Sequence, residues 1–180
     1  MASLYANAVT FSFESHVGPV YGLEFNPHHR HIFSTCSVDG TLRIYHSLRA
    51  KPIVVLEPIV AAAASAGGKG GGGVTAVSTI LYSVCWSPVR PLVLAVSTSA
   101  GEIFIYDFTE TTMGPVLTLN GNVDRVGIVS LSWNKIDPGL LASVDLKGRA
   151  VVWQLSERFT DVQRGEFKMI EQMGQLAADS

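Results

Sequence analysis

Two short stretches contain the residue types that phosphate binding and metal binding require. Residues 68–73 read GKGGGG and match the G-x-G-x-x-G pattern of loops that bind dinucleotide phosphates. Such a loop needs a strand before it and a helix after it, whereas an alanine run precedes this one and a strand-like segment follows. Residues 26–31 read NPHHRH, but adjacent histidines in one turn rarely converge on one zinc ion. We therefore expect neither a metal nor a cofactor.

Motifs of common catalytic sites do not occur in the sequence. There is no G-x-S-x-G, H-E-x-x-H, Walker loop or C-x-x-C, and the acidic residues form no obvious pair for acid–base chemistry. We expect the chain not to be an enzyme. A nucleotide-binding enzyme that uses the glycine tract stays open as an alternative of another class.

The composition limits the partners. The 180 residues carry a formal net charge of −2, so the clustered basic surface of a nucleic-acid-binding protein is not expected. The sequence has neither an apolar run of about 18 residues nor the pattern of a secretory signal, which predicts an intracellular protein without membrane insertion. Cys36 and Cys85 lie in apolar, strand-like runs and are expected to be buried, reduced thiols.

One spacing of aromatic residues and glycine occurs three times. Phe25, Trp86 and Trp133 are each followed after fifteen positions by a glycine and after twenty positions by an aromatic residue. The glycines are Gly40, Gly101 and Gly148, and the aromatic residues are Tyr45, Tyr106 and Trp153. Short β-branched and aromatic runs separate these positions, so each copy predicts three or four antiparallel strands with glycine at positive φ in a tight turn.

The repeat length predicts an all-β fold of propeller blades, because one small sheet cannot bury both of its faces alone. Three blades are expected, over residues 16–57, 80–119 and 120–155. Residues 8–15 predict the outer strand of a preceding blade, and residues 58–79 a flexible Ala/Gly-rich loop insertion. Three blades cannot close a ring. The favoured interpretation is therefore a part of a seven- or eight-bladed propeller, with oligomerisation as the alternative.

Residues 156–180 form a tail with a helical pattern. Phe167, Ile170, Met173 and Ala177 recur at a spacing of three to four residues. Thr160 and Gln163 have the spacing of a capping box at the start of that helix. We expect a frayed helix on the last blade, with a docking helix for a partner as the alternative.

The first copy resembles the repeats of WD-repeat proteins, in which a histidine before the first strand and an aspartate in the tight turn form hydrogen bonds within a blade. His16 and Asp39 match these two positions. Ala100 and Lys147 replace the aspartate in the other copies, so the resemblance implies an intact network in at most one blade. The structural positions that the resemblance assigns are His16, Asp39, Tyr45, Trp86, Tyr106, Trp133 and Trp153.

The phrases WSPVRP and GEIFIYDF resemble sequences of the dynein intermediate chains. The phrases NPHHR, SPVRPLV and VVWQLSERFT resemble the intermediate chains of cytoplasmic dynein-2, of the WD-repeat 34 type. This resemblance implies a non-catalytic scaffold that binds the dynein-2 heavy chain, with other intermediate and light chains bound by the full-length protein. It further implies retrograde intraflagellar transport and cilium assembly, and a location in the cytoplasm, the cytoskeleton and the cilium, at the axoneme and basal body.

Four residues in matching turns are candidate partner contacts. His28, His29 and Arg30 lie in NPHHRH, and Arg90 lies between two prolines that stiffen the turn of the second copy. The competing interpretation is a pair of solvated turns. The alternative functions are other WD-repeat adaptors, either an axonemal dynein intermediate chain or a ubiquitin-ligase substrate receptor.

Overall fold

The computed structural model describes residues 12–61, 76–111, 114–121 and 124–178. A single 3₁₀ turn, Glu157–Phe159, precedes the helix α1, Glu166–Ala178. The strands are β1 (Val20–Phe25), β2 (Ile32–Ser37), β3 (Leu42–His46), β4 (Val54–Leu56), β5 (Ile59–Ala61), β6 (Ala76–Ser78), β7 (Leu81–Trp86), β8 (Val93–Thr98), β9 (Glu102–Asp107), β10 (Leu117–Asn120), β11 (Ile128–Trp133), β12 (Leu140–Asp145) and β13 (Ala150–Gln154).

The strands form antiparallel sheets in which neighbours in the chain are also neighbours in space. β1 to β4 make the first sheet, β7 to β10 the second and β11 to β13 the third. β5 and β6 pair with each other as a separate two-stranded sheet. This architecture confirms the predicted all-β class with a helical segment in the tail.

The repeated aromatic positions lie directly opposite one another across the strands. Phe25 pairs with Phe33, which pairs with Tyr45. The corresponding rows are Trp86–Leu94–Tyr106 in the second sheet and Trp133–Leu141–Trp153 in the third. The spacing in the sequence is therefore the register of the sheets, since residues opposite one another on the same face pack together.

Each sheet also has the same two irregularities. The predicted turn glycines Gly40, Gly101 and Gly148 have φ of 81°, 80° and 77°, values that side chains with a Cβ rarely adopt. The pairing of the first strand with the second shifts in every copy just after its first residue, as in the step from Val20 to Gly22. This bulge increases the local twist of all three first strands.

The sheets stack face to face, with the second sheet in the middle. All six positions of β8 are buried, because apolar side chains cover both of its faces. Leu94 and Val96 pack towards the first sheet, whereas Val93 and Ala95 pack towards the third. β7 lies beside both β1 and β11, which gives the radial arrangement of propeller blades. Cys36 and Cys85 are free thiols within this core.

The outer faces of the first and third sheets leave apolar side chains in contact with solvent. Leu23 and Phe25 are more than half exposed on the first sheet, and Val152 is 65% exposed on the third. Exposed apolar faces of this kind are suited to contact with a further sheet.

Two segments outside the sheets differ from the expected pattern. Residues 8–11 of the predicted outer strand lie outside the described residues, and residues 12–15 form no regular strand. They are nevertheless joined to the first sheet, since Glu14 N donates to Ala50 O at 2.7 Å and the Tyr45 hydroxyl donates to Glu14 O at 2.8 Å. The ends of the predicted loop insertion pair as β5 and β6, and its residues 62–75 are not among those described.

The tail lies elsewhere than the sequence suggested. Phe159 packs between the second and third sheets, but α1 runs back beneath the first and second sheets, where Ile170 is 1% exposed. The predicted position on the last blade is therefore wrong for α1. The predicted capping box is also wrong, because Thr160 ends the 3₁₀ turn and the helix begins only at Glu166.

Gly22 sets the closest approach of the first two sheets. A Cβ at this position would lie 2.6 Å from Cys36 Sγ and 3.1 Å from Val84 N. We expect Gly22→Ala to lower the free energy of unfolding by about 1–3 kcal/mol, because the added methyl group overpacks this contact. Urea unfolding checks this. Gly114→Ala is the control, with an expected change within about 0.5 kcal/mol, since no described residue other than its chain neighbours comes within 4 Å of its Cβ position. Equal losses in the two variants would contradict the packing argument.

Candidate interaction surface

The first sheet has a hydrogen-bond network that ties its entrance segment to its tight turn. His16 Nδ1 lies 3.0 Å from Asp39 Oδ2, and His16 Nε2 lies 2.7 Å from the Thr35 hydroxyl. Asp39 also accepts bonds from the Thr41 N–H and hydroxyl and from the Val17 N–H. The two residues that the WD-repeat resemblance assigned are thus in contact.

The surroundings of this network shift both of its titratable groups. Burial would raise the pKa of Asp39, but the hydrogen bonds from Thr41, Val17 and His16 outweigh it and hold that pKa well below its usual range. Burial lowers the pKa of His16 more than its contact with Asp39 raises it. The network therefore contains a carboxylate and a neutral imidazole near pH 7.

The other two copies stabilise the same turn with different residues. In the third copy Asp124 occupies the position of His16 and Lys147 the position of Asp39, and Lys147 Nζ donates to Asp124 Oδ2 at 3.2 Å. The acidic residue thus stands at the other of the two positions, and both side chains are more than half exposed. In the second copy Thr98 accepts a bond from Glu102 N and donates to Glu102 O within the turn.

The aromatic positions that the WD-repeat resemblance assigned belong to the core. Trp86, Tyr106, Trp133 and Tyr45 are almost completely buried, and Trp153 is partly buried with its indole N–H donating to the Ser143 hydroxyl. Burial raises the pKa of Tyr106 well above its usual range. These rings fill the sheets, and Trp86 and Trp133 also line a cavity between β1, β7 and β11.

The NPHHRH turn of the first copy lies partly under α1. The His28 ring packs edge-on against Phe167 with 5.6 Å between ring centroids. His29 lies against the helix at Gly174, where a Cβ would come within 2.6 Å of His29 Nε2. Arg30 is exposed. Of the three candidate contacts in this turn, Arg30 is thus the one that solvent reaches freely.

Arg90 is completely buried, so both the expected exposed contact and the expected solvated turn are wrong for this residue. Its guanidinium donates to Asp107 Oδ2 at 2.7 Å, to Glu166 Oε1 at 2.8 Å through Nε, and to the Arg158 carbonyl at 2.7 Å. Asp107 and Glu166 are buried as well. We call Arg90, Asp107 and Glu166 the buried triad.

The buried triad joins parts of the chain that are far apart in sequence. Arg90 lies in the β7–β8 turn, Asp107 ends β9 and Glu166 begins α1, 76 residues after Arg90. Nothing in the local sequence around Glu166 marked it as a partner. Asp107 stood in the phrase IYD, which carried the dynein resemblance, but the phrase did not indicate a buried arginine beside it.

Binding sites of other kinds have little support in the described part of the chain. Among residues 12–61, 76–111, 114–121 and 124–178, no three His, Cys, Asp or Glu side chains are arranged to hold a metal ion. The GKGGGG tract lies outside these residues. No helix in this described part is both long and apolar enough to cross a membrane.

Comparison with known proteins identifies the repeat. The family described as "WD domain, G-beta repeat" matches residues 7–46, which include His16, Asp39 and Tyr45. The match shows one WD repeat in residues 7–46, and the stacked sheets with their repeated turn glycine have the architecture of propeller blades.

Over most of its length the chain is similar to dynein intermediate chains. It is 32% identical to cytoplasmic dynein 2 intermediate chain 2 of Mus musculus, over 95% of this chain and 28% of that protein. Its identity to the Homo sapiens protein of the same name is 30%, over 84% of this chain and 25% of that protein. Dynein axonemal intermediate chain 4 of Rattus norvegicus is 25% identical over 88% of this chain and 17% of that protein.

These findings confirm the resemblance to the cytoplasmic dynein-2 intermediate chain that the sequence indicated. The chain spans about a quarter of the length of the dynein-2 relatives that it matches.

The buried pair His16–Asp39 and the exposed pair Asp124–Lys147 are expected to contribute differently to the free energy of unfolding. We expect Asp39→Ala to lower the free energy of unfolding by about 1.5–3 kcal/mol, because several hydrogen bonds to one carboxylate are lost. Asp124→Ala, the matched change in the third copy, removes an exposed ion pair and should cost less than about 1 kcal/mol. Urea unfolding of both variants checks the difference, and a larger loss for Asp124→Ala would contradict it.

The burial of Arg90 leads to a second comparison. Arg90→Ala leaves Asp107 and Glu166 buried without their cation, so we expect a loss of about 3–5 kcal/mol in the free energy of unfolding. Arg30→Ala, in the corresponding turn of the first copy, should change it by less than about 0.5 kcal/mol because Arg30 is exposed. Chemical denaturation measures both. Arg90 would prove to be solvated if the two variants were equally stable.

Proposed function

We propose that this chain is a non-catalytic scaffold segment of a dynein-2 intermediate chain. In this role its sheets and loops bind the dynein-2 heavy chain and support retrograde intraflagellar transport and cilium assembly. The full-length protein also associates with the other intermediate and light chains of the motor. It works in the cytoplasm and the cytoskeleton and in the cilium, at the axoneme and basal body.

The observation that carries this proposal is the 32% identity to cytoplasmic dynein 2 intermediate chain 2 over 95% of this chain. The geometry agrees with a scaffold. The three stacked sheets share continuous cores, so their turns are held at fixed distances from one another. Such a block presents loops to a partner with little loss of conformational entropy on binding.

A second candidate role rests on the similarity to axonemal proteins. Dynein axonemal intermediate chain 4 of Rattus norvegicus is 25% identical over 88% of this chain. An axonemal intermediate chain would use the same scaffold to bind a different heavy chain. The lower identity favours the dynein-2 role.

Affinity purification of the tagged product of the complete gene from ciliated cells, with mass spectrometry, tests the proposed function. We expect the dynein-2 heavy chain to be recovered together with dynein light chains. Recovery of an axonemal heavy chain would support the second role. Recovery of neither heavy chain would contradict the dynein assignment while leaving the WD-repeat fold unchanged.

The same purification tests the accessible residue of the NPHHRH turn. If Arg30 contacts the heavy chain, Arg30→Glu should lower heavy-chain recovery about tenfold, the effect of losing a hot-spot contact. Lys51→Glu, which reverses another exposed charge of the first blade, serves as the control. Equal recovery with both variants would exclude a heavy-chain contact at Arg30.

A further inference from the structure

Four of the five histidines of the chain lie together where α1 crosses the first sheet. His28 and His29 touch the helix directly, at Phe167 and Gly174. Behind them, the rings of His31 and His46 are 5.1 Å apart between centroids, and each lies 6.1 Å from the ring of His29. We call these four residues the histidine cluster.

Among the side chains of α1 that the structure describes, two are buried where the helix meets the sheets, and Met173 packs partly against the same core cluster. Ile170 is inserted into the core between the first two sheets, and Glu166 binds Arg90 in the buried triad. The helix itself is weakened by Gly174, and its last turn carries no basic residue to interact with its C-terminus. An internal glycine of this kind costs a helix about 1 kcal/mol relative to alanine.

Two buried polar atoms at the start of the helix lack hydrogen bonds. Neither His28 Nε2 nor Glu166 Oε2 makes a hydrogen bond of ordinary geometry with a described residue. Buried polar atoms without partners are costly, whereas both atoms bind water when the helix is released. The helix is therefore released more easily than it would be if both atoms had hydrogen-bond partners in the docked state.

We propose that α1 is a strap that acid releases, because protonation of the histidine cluster favours the state in which the helix no longer covers the turn Pro27–Arg30. The inference does not depend on which partner binds the uncovered turn. It concerns a conformational change of the chain itself, so it stands or falls independently of the proposed function.

The surroundings of each histidine ring determine the direction in which its pKa shifts and therefore the effect of pH on the docking of α1. Burial lowers the pKa of His28, although the carbonyls of Ser87 and Pro88 and the carboxylate of Glu166 act in the opposite direction. Burial, His31 and Arg30 lower the pKa of His29, against Glu171 on the helix.

Burial, together with His31 and His29, also lowers the pKa of His46. Release of α1 removes the helix from His28 and His29 and so brings the pKa of these rings closer to its ordinary value of 6.5. The released state therefore binds more protons. Docking is fully favoured above about pH 6.5 and weakens as the pH falls below that value.

Hydrogen exchange of the full chain tests this inference. The protection of amides 167–175 in α1 is measured at pH 7.5 and pH 5.5, corrected for the intrinsic effect of pH and expressed relative to the amides of β8. We expect this relative protection to fall about tenfold or more, since each proton taken up on release shifts the equilibrium by as much as tenfold per pH unit.

Two variants separate the histidine cluster from general acid destabilisation. His28→Gln/His29→Gln should make the fall in the relative protection of α1 several-fold smaller, because of the rings with a lowered pKa in the cluster only His46 then remains. His16→Gln removes a histidine of lowered pKa far from the helix and should leave the tenfold fall intact. An unchanged fall in the double variant, or a parallel fall of α1 and β8 in the unmodified chain, would overturn the inference.

Discussion

Each of the three main sheets carries apolar side chains on both faces, and the need to cover both faces governs the rest of the structure. A sheet that is apolar on one side can meet water on the other, but a sheet like the one around β8 requires neighbours on both sides. The twist of small sheets then permits a radial stack, with β1, β7 and β11 side by side near its centre. The close approach at Gly22 is a local consequence of the same requirement, because sheets in contact leave no room for a methyl group there.

The buried triad shows how a charged contact is used where packing alone would be weak. Three ionised side chains without solvent carry a large desolvation cost, and only their mutual hydrogen bonds offset it. An apolar contact would tolerate some sliding of α1, whereas the guanidinium of Arg90 donates hydrogen bonds to carboxylates only in defined directions. The triad thereby fixes where the helix begins. Ile170, one turn later, is then brought to the gap between the first two sheets.

The sequence predicted those features that depend on residues close together in the chain. The spacing from Trp86 to Gly101 and Tyr106 is local, and it determines strand length, turn and register. It did not predict the role of Arg90, because the two prolines beside it indicate a turn and say nothing about a carboxylate 76 residues later. The pair Asp124–Lys147 was missed for a related reason. A search for a particular histidine and aspartate does not detect a pair in which the acidic residue stands at the other position and a lysine replaces the histidine.

The small sheet of β5 and β6 stands in the chain between the first and the second main sheet. Ala61 and Ala76 face each other across this pair, so the chain leaves and returns at adjacent points. The number of residues between those points can therefore change without altering the distance between the main sheets, and each doubling adds only about 0.6 kcal/mol of closure entropy. For protein engineering, this makes residues 62–75 a natural place to insert a fluorescent domain or an affinity tag. Such a label would report on the assembled protein while both ends of the chain stay unaltered.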